Sequence, residues 1–442
     1  MSKIQDSTFA YRLGRFFVDK VTKHSYRKYQ VEGKENIPDD GYVIWVANHS
    51  NALSDALALL VTNKRPKVFL CRADIFSKPI LVKLFTYLKI MPIYRIRDGM
   101  DSVKKNTEVI EKCVDVLKSG TPITLFPEGT HQPKHTLLPL SKGVFHIAMQ
   151  LEQAKKDNKP VYIQPIGINY SDFFRYRATC LVKFGKPFNV SQYLAEHTEL
   201  DVPKQMLEMR EILTGCIEKQ IAYVPDNLDY DSVWEYTKLK SNNRRYFKHA
   251  ITQIENDANK RFRGLERILL VNRYAIKEML QMQQDEPERT AIMLEKIDKF
   301  RLWRIQNGIS VYSVARKHPV LLMLKNILLL LISLPYYLFS IIVTFPVWVT
   351  TLVLLRHTHD NAFYNSIRVG VRISIGAIQL ILWTVLFFVF IPHWSLALLL
   401  TLLLCPANML ITDYHELARR TMSDFKWSLS KNRFKHLSFL FE

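Results

Sequence analysis

Three long apolar runs near the carboxyl end of the chain restrict its fold more than any other feature. Residues 327–355 contain no Asp, Glu, Lys or Arg, and residues 373–391 and 394–412 also lack these side chains. At about 1.5 Å per residue, the first run is longer than the roughly 30 Å core of a bilayer, and the other two nearly match it. Buried helices of a soluble core are the alternative, but three such runs close together favour membrane spans.

The ends of these runs indicate how the segment is arranged. Pro335 and Pro346 interrupt the first run, which leaves a kinked span, a re-entrant hairpin, or one span with an interfacial helix open. Pro392 and His393 separate the other two runs, which predicts an antiparallel pair of spans. Basic residues on both flanks place both flanks in the cytoplasm by the positive-inside rule, and so predict an even number of crossings. These residues are Arg316, Lys317, Arg419, Arg420, Lys426, Lys431, Arg433 and Lys435.

Residues 30–210 predict a layered α/β domain. Short runs of apolar and aromatic residues alternate with segments of helical spacing, which is typical of a sheet flanked by helices. The predicted strands are residues 42–47, 67–71, 91–94, 122–126, 161–169 and 181–184, and the predicted helices are residues 52–61, 80–88, 101–117 and 143–155. The expected fold class is therefore α/β, followed by a helical region and transmembrane helices.

The remaining parts of the chain are charged and helical in pattern. Residues 1–29 mix aromatic and basic side chains and show no secretory signal. A basic amphipathic helix on a membrane surface and a first helix packed on the domain both fit them. Residues 211–320 contain helical runs at 241–254 and 261–282 and no catalytic pattern. A membrane region of two to four crossings is expected over residues 321–415, and a basic tail over 416–442.

Composition narrows the choice of partners. The 61 Lys and Arg residues outnumber the 41 Asp and Glu residues, for a net charge of +20. This surplus favours a phospholipid surface, a phosphorylated substrate, an acidic carrier protein or nucleic acid. The chain shows no nucleic-acid-binding motif, so no nucleic-acid partner is expected. The five cysteines are scattered without a C-x-x-C pair, which argues against a disulfide framework and a zinc site.

Two predicted strands end in residues that can carry out chemistry. The strand at 42–47 runs into Asn48-His49, and Asp55 follows in the next helix. Such an imidazole can take a proton from an attacking hydroxyl while the carboxylate holds its other ring nitrogen. The strand at 122–126 runs into Pro127-Glu128-Gly129-Thr130-His131. Without a Cys or carboxylate partner at ligand spacing, His131 and His135 fit a surface loop better than a metal site.

Basic residues follow the same predicted edge of the sheet. Arg95 and Arg97 come directly after the strand at 91–94, and Lys142 opens the helix after the Glu128 turn. Cations at strand and helix ends can bind a phosphate dianion. A solvated charge is the ordinary reading of any one of them, but their position beside a His-Asp pair and a Glu-Gly turn favours a phosphate site.

The order of these blocks resembles the glycerolipid acyltransferase superfamily. The matching blocks are Asn48-His49 with Asp55, Pro92-Ile93-Tyr94-Arg95, Phe126-Pro127-Glu128-Gly129-Thr130, and Gln164-Pro165-Ile166-Gly167. They cover roughly residues 30–210. The usual spacing places four residues between His and Asp, whereas this chain has five. That form resembles a branch with fungal-type glycerol-3-phosphate and dihydroxyacetone-phosphate acyltransferases and their bacterial relatives, which also carry apolar segments after the domain.

The resemblance implies an activity and a role for each block. His49 is the general base and Asp55 orients it, so that the acceptor hydroxyl attacks the thioester directly without an acyl-enzyme. Arg95, Arg97 and Lys142 bind the acceptor phosphate, and Glu128, Gly129 and Thr130 shape the acceptor site. The donor is acyl-CoA or acyl carrier protein as co-substrate, with no cofactor or metal. The basic flanks of the apolar runs, by the positive-inside rule, predict that the domain works at the cytoplasmic face of a phospholipid membrane.

The residues leave three readings of the function open. The first is transfer of a fatty acyl group to glycerol 3-phosphate in phospholipid biosynthesis, and the second is transfer to 1-acylglycerol 3-phosphate. The third is a non-catalytic lipid-binding membrane module, against which the intact His49, Asp55, Arg95 and Glu128 speak. The chain has no G-x-S-x-G elbow for a serine nucleophile. Cys71 and Cys113 have no neighbouring His, so inert thiols are expected there.

Overall fold

The computed structural model describes residues 4–76, 78–94, 101–315, 319–430, 432 and 434, with only the backbone of 101–106 and 319. The chain divides into two compact units. The first consists of Met1–Phe174 and Ala178–Ile221, and the second of Arg175–Arg177 and Ala222–Glu442.

The first unit is built on one mixed sheet. Its described strands are β1 Lys28–Glu32, β2 Tyr42–Ala47, β3 Val68–Arg72, β4 Ile90–Ile93, β5 Ile123–Leu125, β6 Val161–Tyr170, β7 Thr179–Phe184 and β8 Phe188–Asn189. Their order is β1-β7-β6-β2-β5-β3-β4, and β8 also pairs with β6. Strands β2 to β6 run parallel, and only β7 and β8 run antiparallel to β6 among the described pairs. The predicted α/β class is confirmed. The sequence did not predict β1, whose residues KYQVE are largely polar.

Helices connect and cover these strands. They are α1 Phe9–His24, α2 Leu53–Leu60, α3 Pro79–Tyr87, α4 Asp101–Lys118, α5 Gly143–Ala154, α6 Val190–Glu196 and α7 Val202–Glu218. The run YVIWVA of β2 is almost wholly buried because β2 is a central strand with neighbours on both edges. Trp45 packs edge-on against Phe184, with the ring centroids 5.1 Å apart, in the main apolar cluster of the sheet.

Pro165 occupies a position in β6 where a missing N–H is tolerated. Residues 162 and 163 of β6 pair with β8, whereas residues 166 to 170 pair with β7. Pro165 lies between these two ladders, and its carbonyl accepts from the N–H of Gly185. Proline in a central strand is otherwise unfavourable. Gly167 follows, where a Cβ atom would come within 2.3 Å of the carbonyl oxygen of Gln220, so only glycine allows the chain after α7 to approach.

Helix α1 has two different sides. The guanidinium of Arg15 donates to the carbonyl oxygens of Leu60 and Asn63 at the end of α2, which ties α1 to the domain. Phe9, Leu13 and Phe16 are 74%, 62% and 62% exposed and recur at helical spacing. The helix thus packs on the domain and also presents an apolar side to its surroundings.

The first part of the second unit is a set of packed helices. They are α8 Tyr230–Asn242, α9 Arg244–Asp257, α10 Gly264–Asp285, α11 Pro287–Gln306 and α12 Val311–Val314. The single helical run predicted at 241–254 is wrong at its start because Asn243 ends α8 and caps α9. Its side chain accepts from the N–H groups of Arg245 and Tyr246, as Asn commonly does at a helix start.

Three helices in the described part of the chain are long and apolar enough to cross a membrane. They are α13 Pro319–Arg356, α14 Tyr364–Phe390 and α15 Trp394–Ser430. Pro335 and Pro346 lie inside a continuous α13, so the re-entrant hairpin is not seen. Many apolar side chains of these helices are exposed, which excludes buried core helices, and Phe390 is 75% exposed. The length and composition of the three helices are those of a membrane protein.

These three helices pack against one another. Val343, Leu404 and Ala407 are buried between them, and the indole Nε1 of Trp383 donates to the carbonyl of Val343 at 3.0 Å. Helices α14 and α15 are joined by residues 391–393, as predicted for an antiparallel pair.

Three crossings would place the segment before α13 and the segment after α15 on opposite sides of the membrane. The predicted even number of crossings therefore requires one of the three helices not to cross. Among the flanking basic residues, Arg316, Lys317, Lys431, Arg433 and Lys435 lie outside the described residues.

Candidate active site

The carboxyl ends of the parallel strands bring the predicted site residues to one edge of the sheet. Strand β2 ends at Ala47, directly before Asn48-His49, and β5 ends at Leu125, before Phe126-Pro127-Glu128. Strand β2 lies between β5 and β6. In open α/β sheets this edge is where ligands bind, because the loops that follow neighbouring strands converge there.

His49 and Asp55 form the predicted pair. The ring Nδ1 of His49 lies 2.8 Å from Asp55 Oδ2, and the carboxylate side chain is fully buried, whereas the imidazole is 18% exposed. Since Nδ1 faces the carboxylate, Nε2 is the nitrogen left to receive a proton from a substrate. The geometry is that of a general base with an orienting carboxylate.

The turn between His49 and Asp55 contains an unusual backbone conformation. Ala52, directly before α2, has φ 43° and ψ −129°, a region that side chains with a Cβ rarely adopt. The turn lets the backbone N–H groups of Ser50 and Asn51 donate to Asp55 Oδ2 at 2.8 and 2.7 Å. With five residues between them, His49 and Asp55 form the pair through a turn that contains one strained residue.

Neighbouring side chains fix the loop that carries His49. The Asn48 side chain exchanges two hydrogen bonds with the backbone of Ile168 on β6, at 2.7 and 3.1 Å. The imidazole of His49 stacks on Phe126 with centroids 4.4 Å apart, and the ring of His131 meets it edge-on at 5.6 Å. Residues on β6 and directly after β5 therefore contact the His49 loop and fix the position of the imidazole.

Glu128 joins two loops of the site. Its carboxylate accepts from the backbone N–H of His49 at 2.5 Å and from that of Leu138 at 2.9 Å. Burial raises the pKa of the Glu128 carboxyl to about 7, although these two hydrogen bonds act in the opposite direction. The described contacts give Glu128 a part in positioning His49, and its direct contact with an acceptor stays a prediction.

Gly129 and Thr130 form the exposed end of the Glu128 turn. Gly129 has φ +66°, which favours glycine, and a Cβ there would meet no atom within 4 Å. The N–H of Gly129 donates to the carbonyl of Phe126. Both residues are exposed next to the pair of imidazoles, so there is room for a substrate group beside them.

The structure locates one of the three predicted phosphate ligands. Lys142 is exposed at the start of α5. It lies beside the Glu128 turn because the N–H of the preceding residue, Ser141, donates to the carbonyl of Pro127. A Cβ on Gly143 would lie 3.8 Å from Ile93, so the end of β4 meets the start of α5. Arg95 and Arg97 lie outside the described residues.

Two neighbours of the pair could not be identified from the sequence motifs alone. The hydroxyl of Tyr170, the last residue of β6, donates to Asp55 Oδ1 at 2.8 Å. His131 is a possible metal ligand by residue type, but its ring contacts His49.

Among the described residues, no three His, Cys, Asp or Glu side chains are grouped so as to hold a metal ion. Burial raises the pKa of Cys71, and that of Cys113 to about 12, as in unreactive thiols.

Comparisons with known proteins give matches over the segment that contains these loops. Residues 28–169 match the family model described as Acyltransferase, and this segment contains the His49, Asp55 and Glu128 loops. A chloroplastic 1-acyl-sn-glycerol-3-phosphate acyltransferase of Arabidopsis thaliana is 30% identical over 129 residues, which is 29% of this chain and 34% of that protein. Glycerol-3-phosphate O-acyltransferase 1 of Saccharomyces cerevisiae is 30% identical over 105 residues, which is 23% of this chain and 14% of that protein.

A solved structure is similar at a lower level. The crystal structure of the 1-acyl-sn-glycerophosphate acyltransferase PlsC from Thermotoga maritima has 19% identity and a TM-score of 0.33, and the match covers 48% of this chain and 83% of that one. The chain spans about a third of the length of the Arabidopsis relative. The similarity to the two curated relatives therefore concerns a limited segment and not the whole of either chain.

Proposed function

We propose that this membrane protein transfers a fatty acyl group from a thioester to a hydroxyl of glycerol 3-phosphate, and the match of residues 28–169 to the Acyltransferase family model supports the proposal. The observation that carries the proposal is the pair of His49 and the buried Asp55 at the carboxyl edge of the sheet, with Nδ1 and Oδ2 2.8 Å apart. A general base in that position is what an acyl transfer without a covalent enzyme intermediate requires.

The reaction uses the pair as a proton carrier. His49 Nε2 takes the proton of the acceptor hydroxyl as its oxygen attacks the thioester carbonyl carbon, and the Asp55 carboxylate stabilises the imidazolium. The new C–O bond forms, the C–S bond breaks, and the thiolate leaves with the proton returned from His49. The donor is acyl-CoA or an acyl carrier protein, whose negative charges suit a chain of net charge +20.

The acceptor site lies between the Glu128 turn and the start of α5. Gly129 and Thr130 leave space beside the base, and Lys142 supplies a cation at the same edge. Ile93, two residues before Arg95 in the sequence, lies next to Gly143. We assign the phosphate of the acceptor to Arg95, Arg97 and Lys142, because guanidinium and ammonium groups bind a dianion strongly.

1-Acylglycerol 3-phosphate is the second candidate acceptor. The Arabidopsis relative carries that activity in its name, whereas the yeast relative is named for glycerol 3-phosphate. Both acceptors offer a phosphate and a hydroxyl to the same groups, and they differ in one acyl chain. The apolar side of α1, with Phe9, Leu13 and Phe16 exposed, suits a domain that works at a lipid surface. We place that surface at the cytoplasmic face, from the charge pattern of the flanks.

The experiment is an acylation assay in membranes that contain the full chain. A labelled donor, either acyl-CoA or acyl carrier protein, is offered with glycerol 3-phosphate, dihydroxyacetone phosphate or 1-acylglycerol 3-phosphate. We expect His49→Ala to lower kcat at least about a hundredfold, whereas His249→Ala, at an exposed position of α9 in the second unit, serves as the matched control with full activity. If wild type acylates none of these acceptors, the protein is a non-catalytic lipid-binding module and not the proposed enzyme. Equal rates for His49→Ala and wild type refute the assignment of the base.

A further inference from the structure

The two oxygens of the Asp55 carboxylate are bonded unequally. Oδ2 accepts from the ring of His49 and from the backbone N–H groups of Ser50 and Asn51. Among the described residues, the one donor to Oδ1 is the hydroxyl of Tyr170, at 2.8 Å. Asp55 is fully buried and Tyr170 is 3% exposed, so water does not replace this donor. One side of the carboxylate therefore depends on a single phenol.

The hydroxyl of Tyr170 is held in a fixed place by the sheet. Tyr170 is the last residue of β6 and is paired with Cys180 on β7. Its ring packs against those of Tyr26 and Phe173, with centroids 6.2 and 6.1 Å away. The same strand binds the side chain of Asn48, one residue before His49. Strand β6 thus contacts the loop of the base and the carboxylate that orients it.

We propose that Tyr170 is a positioning residue, whose hydroxyl holds Asp55 Oδ1 so that Oδ2 stays directed at His49 Nδ1. This inference rests on the proposed acyl transfer. A buried carboxylate oxygen without a donor is poorly stabilised, so the carboxylate turns towards other donors or takes up a proton. Either change loosens the imidazole from the orientation in which Nε2 meets the acceptor hydroxyl.

The titratable groups that surround Asp55 are two tyrosines, one thiol, Glu128 and His49. Burial raises the pKa of Tyr26 and of Cys180 well above their ordinary values, and it does the same for Tyr170, so all three remain neutral near pH 7. Glu128, with its pKa of about 7, and His49 are the remaining groups that face the carboxylate. Effects of Tyr170 on the pH profile are therefore measured as differences from wild type, in which Glu128 is unchanged.

The test is Tyr170→Phe in the full chain in membranes. We expect kcat to fall about tenfold to a hundredfold, since a hydrogen bond to a buried charge is lost, while KM for the acceptor stays within about twofold. The acidic limb of the kcat/KM profile should also differ from that of wild type, because the hydrogen bonding of the pair has changed. In an Asp55→Asn background the same substitution should have no further effect on kcat, since Tyr170 acts through Asp55.

The matched control is Tyr42→Phe. The Tyr42 hydroxyl donates to Asp157 Oδ2 at 2.9 Å, which is the same kind of bond in the same unit, but away from the base. This variant should keep the kcat and pH profile of wild type. An unchanged kcat in Tyr170→Phe, or a full additional loss in the Asp55→Asn background, overturns the proposal.

A second readout separates this inference from the activity itself. The Nδ1 proton of His49 has a characteristic nuclear magnetic resonance signal in protein with labelled histidine, and Tyr170→Phe should shift it, whereas Tyr42→Phe should not. If wild type acylates no acceptor, the proposed function fails while the signal still decides the role of Tyr170. An unmoved signal refutes the positioning role whatever the activity.

Discussion

Asp55 in the first unit and Glu235 in the second both have fully buried side chains, yet they are stabilised differently. Glu235 is bonded to Arg304 at 2.6 and 2.8 Å and to Lys238 at 3.1 Å. Burial raises the pKa of Glu235, but these cations outweigh it and hold the pKa below its usual range. Asp55 instead is bonded to backbone N–H groups, a phenol and an imidazole.

The different bonding partners give the two carboxylates different roles. Glu235 joins helices, whereas Asp55 takes part in proton transfer. A carboxylate paired with guanidinium has a partner that never loses its charge, so the pair stays fixed over the working pH range. A carboxylate bonded to neutral donors and one imidazole has a partner that gains and loses a proton. The burial is the same, but only the second arrangement can support a general base.

The comparison is tested most strongly by Asp55→Asn. We expect kcat to fall about 10³- to 10⁴-fold, because an amide neither stabilises the imidazolium nor fixes its tautomer. Thermal unfolding in detergent should change little, and the acylation assay gives the rate. A variant that unfolds instead would make Asp55 a structural carboxylate like Glu235.

Glu235→Gln should show the opposite behaviour. Removal of one charge leaves Arg304 buried and poorly paired, which costs about 3 to 5 kcal/mol of the free energy of unfolding. Chemical unfolding measures this loss. The rate per folded molecule should equal that of wild type, and Glu295→Gln, whose ion pair with Lys299 is exposed, is the control that changes neither quantity.

Glu128 lies between these two cases because it is partly buried and, among the described residues, its donors are the backbone N–H groups of His49 and Leu138. The pKa of the Glu128 carboxyl is about 7 in the folded protein, above that of an unfolded carboxyl. The contribution of the protonated carboxyl to the free energy of unfolding is therefore full at low pH and is lost as the pH rises towards 7. Between pH 5.5 and 8, wild type should lose about 2 kcal/mol of stability that Glu128→Gln does not lose. Unfolding curves of both proteins at the two pH values give this difference. Parallel pH dependence in the two proteins would contradict it.

The smallest expected effect concerns the strained turn that places Asp55. Ala52→Gly relieves the φ of 43° and should stabilise the first unit by about 1 kcal/mol, whereas Ala58→Gly inside α2 should destabilise it by at least as much. Thermal unfolding of the two variants compares them directly. A loss of stability in Ala52→Gly would show that the conformation is not strained.

The sequence predicts the parts of the site that follow from strand ends. His49 and Glu128 follow apolar strands, and parallel strands bring such residues to a common edge, so the residue order alone predicts that they lie close together. The contact of Tyr170 with Asp55 could not be predicted, because it depends on the register of β6 against β2 and on the position where β6 changes partners. The backbone bonds of Glu128 depend in the same way on the loop around Leu138.

The positions of the long helices in the second unit could be predicted from the sequence, but their ends could not. The apolar runs predicted the three long helices, because a charge-free stretch has few other stable forms. The continuation of α15 to Ser430 was not predicted, since residues after Asp413 are charged and an apolar run carries no signal for them. For the prolines of α13 the sequence left open a kinked span, a re-entrant hairpin, or one span with an interfacial helix, and the structure has one helix that continues through both prolines.

The pairing of β1 with β7 has a consequence for synthesis of the chain. Lys28 is paired with Thr179, so the edge strand has no partner until about 150 further residues have been made, which takes roughly 8 to 30 s at ordinary rates of translation. The first apolar helix, α13, begins about 100 residues beyond the last residue of the first unit. The sheet can therefore close while the ribosome is still making the helices that follow, before any span is available to enter a bilayer.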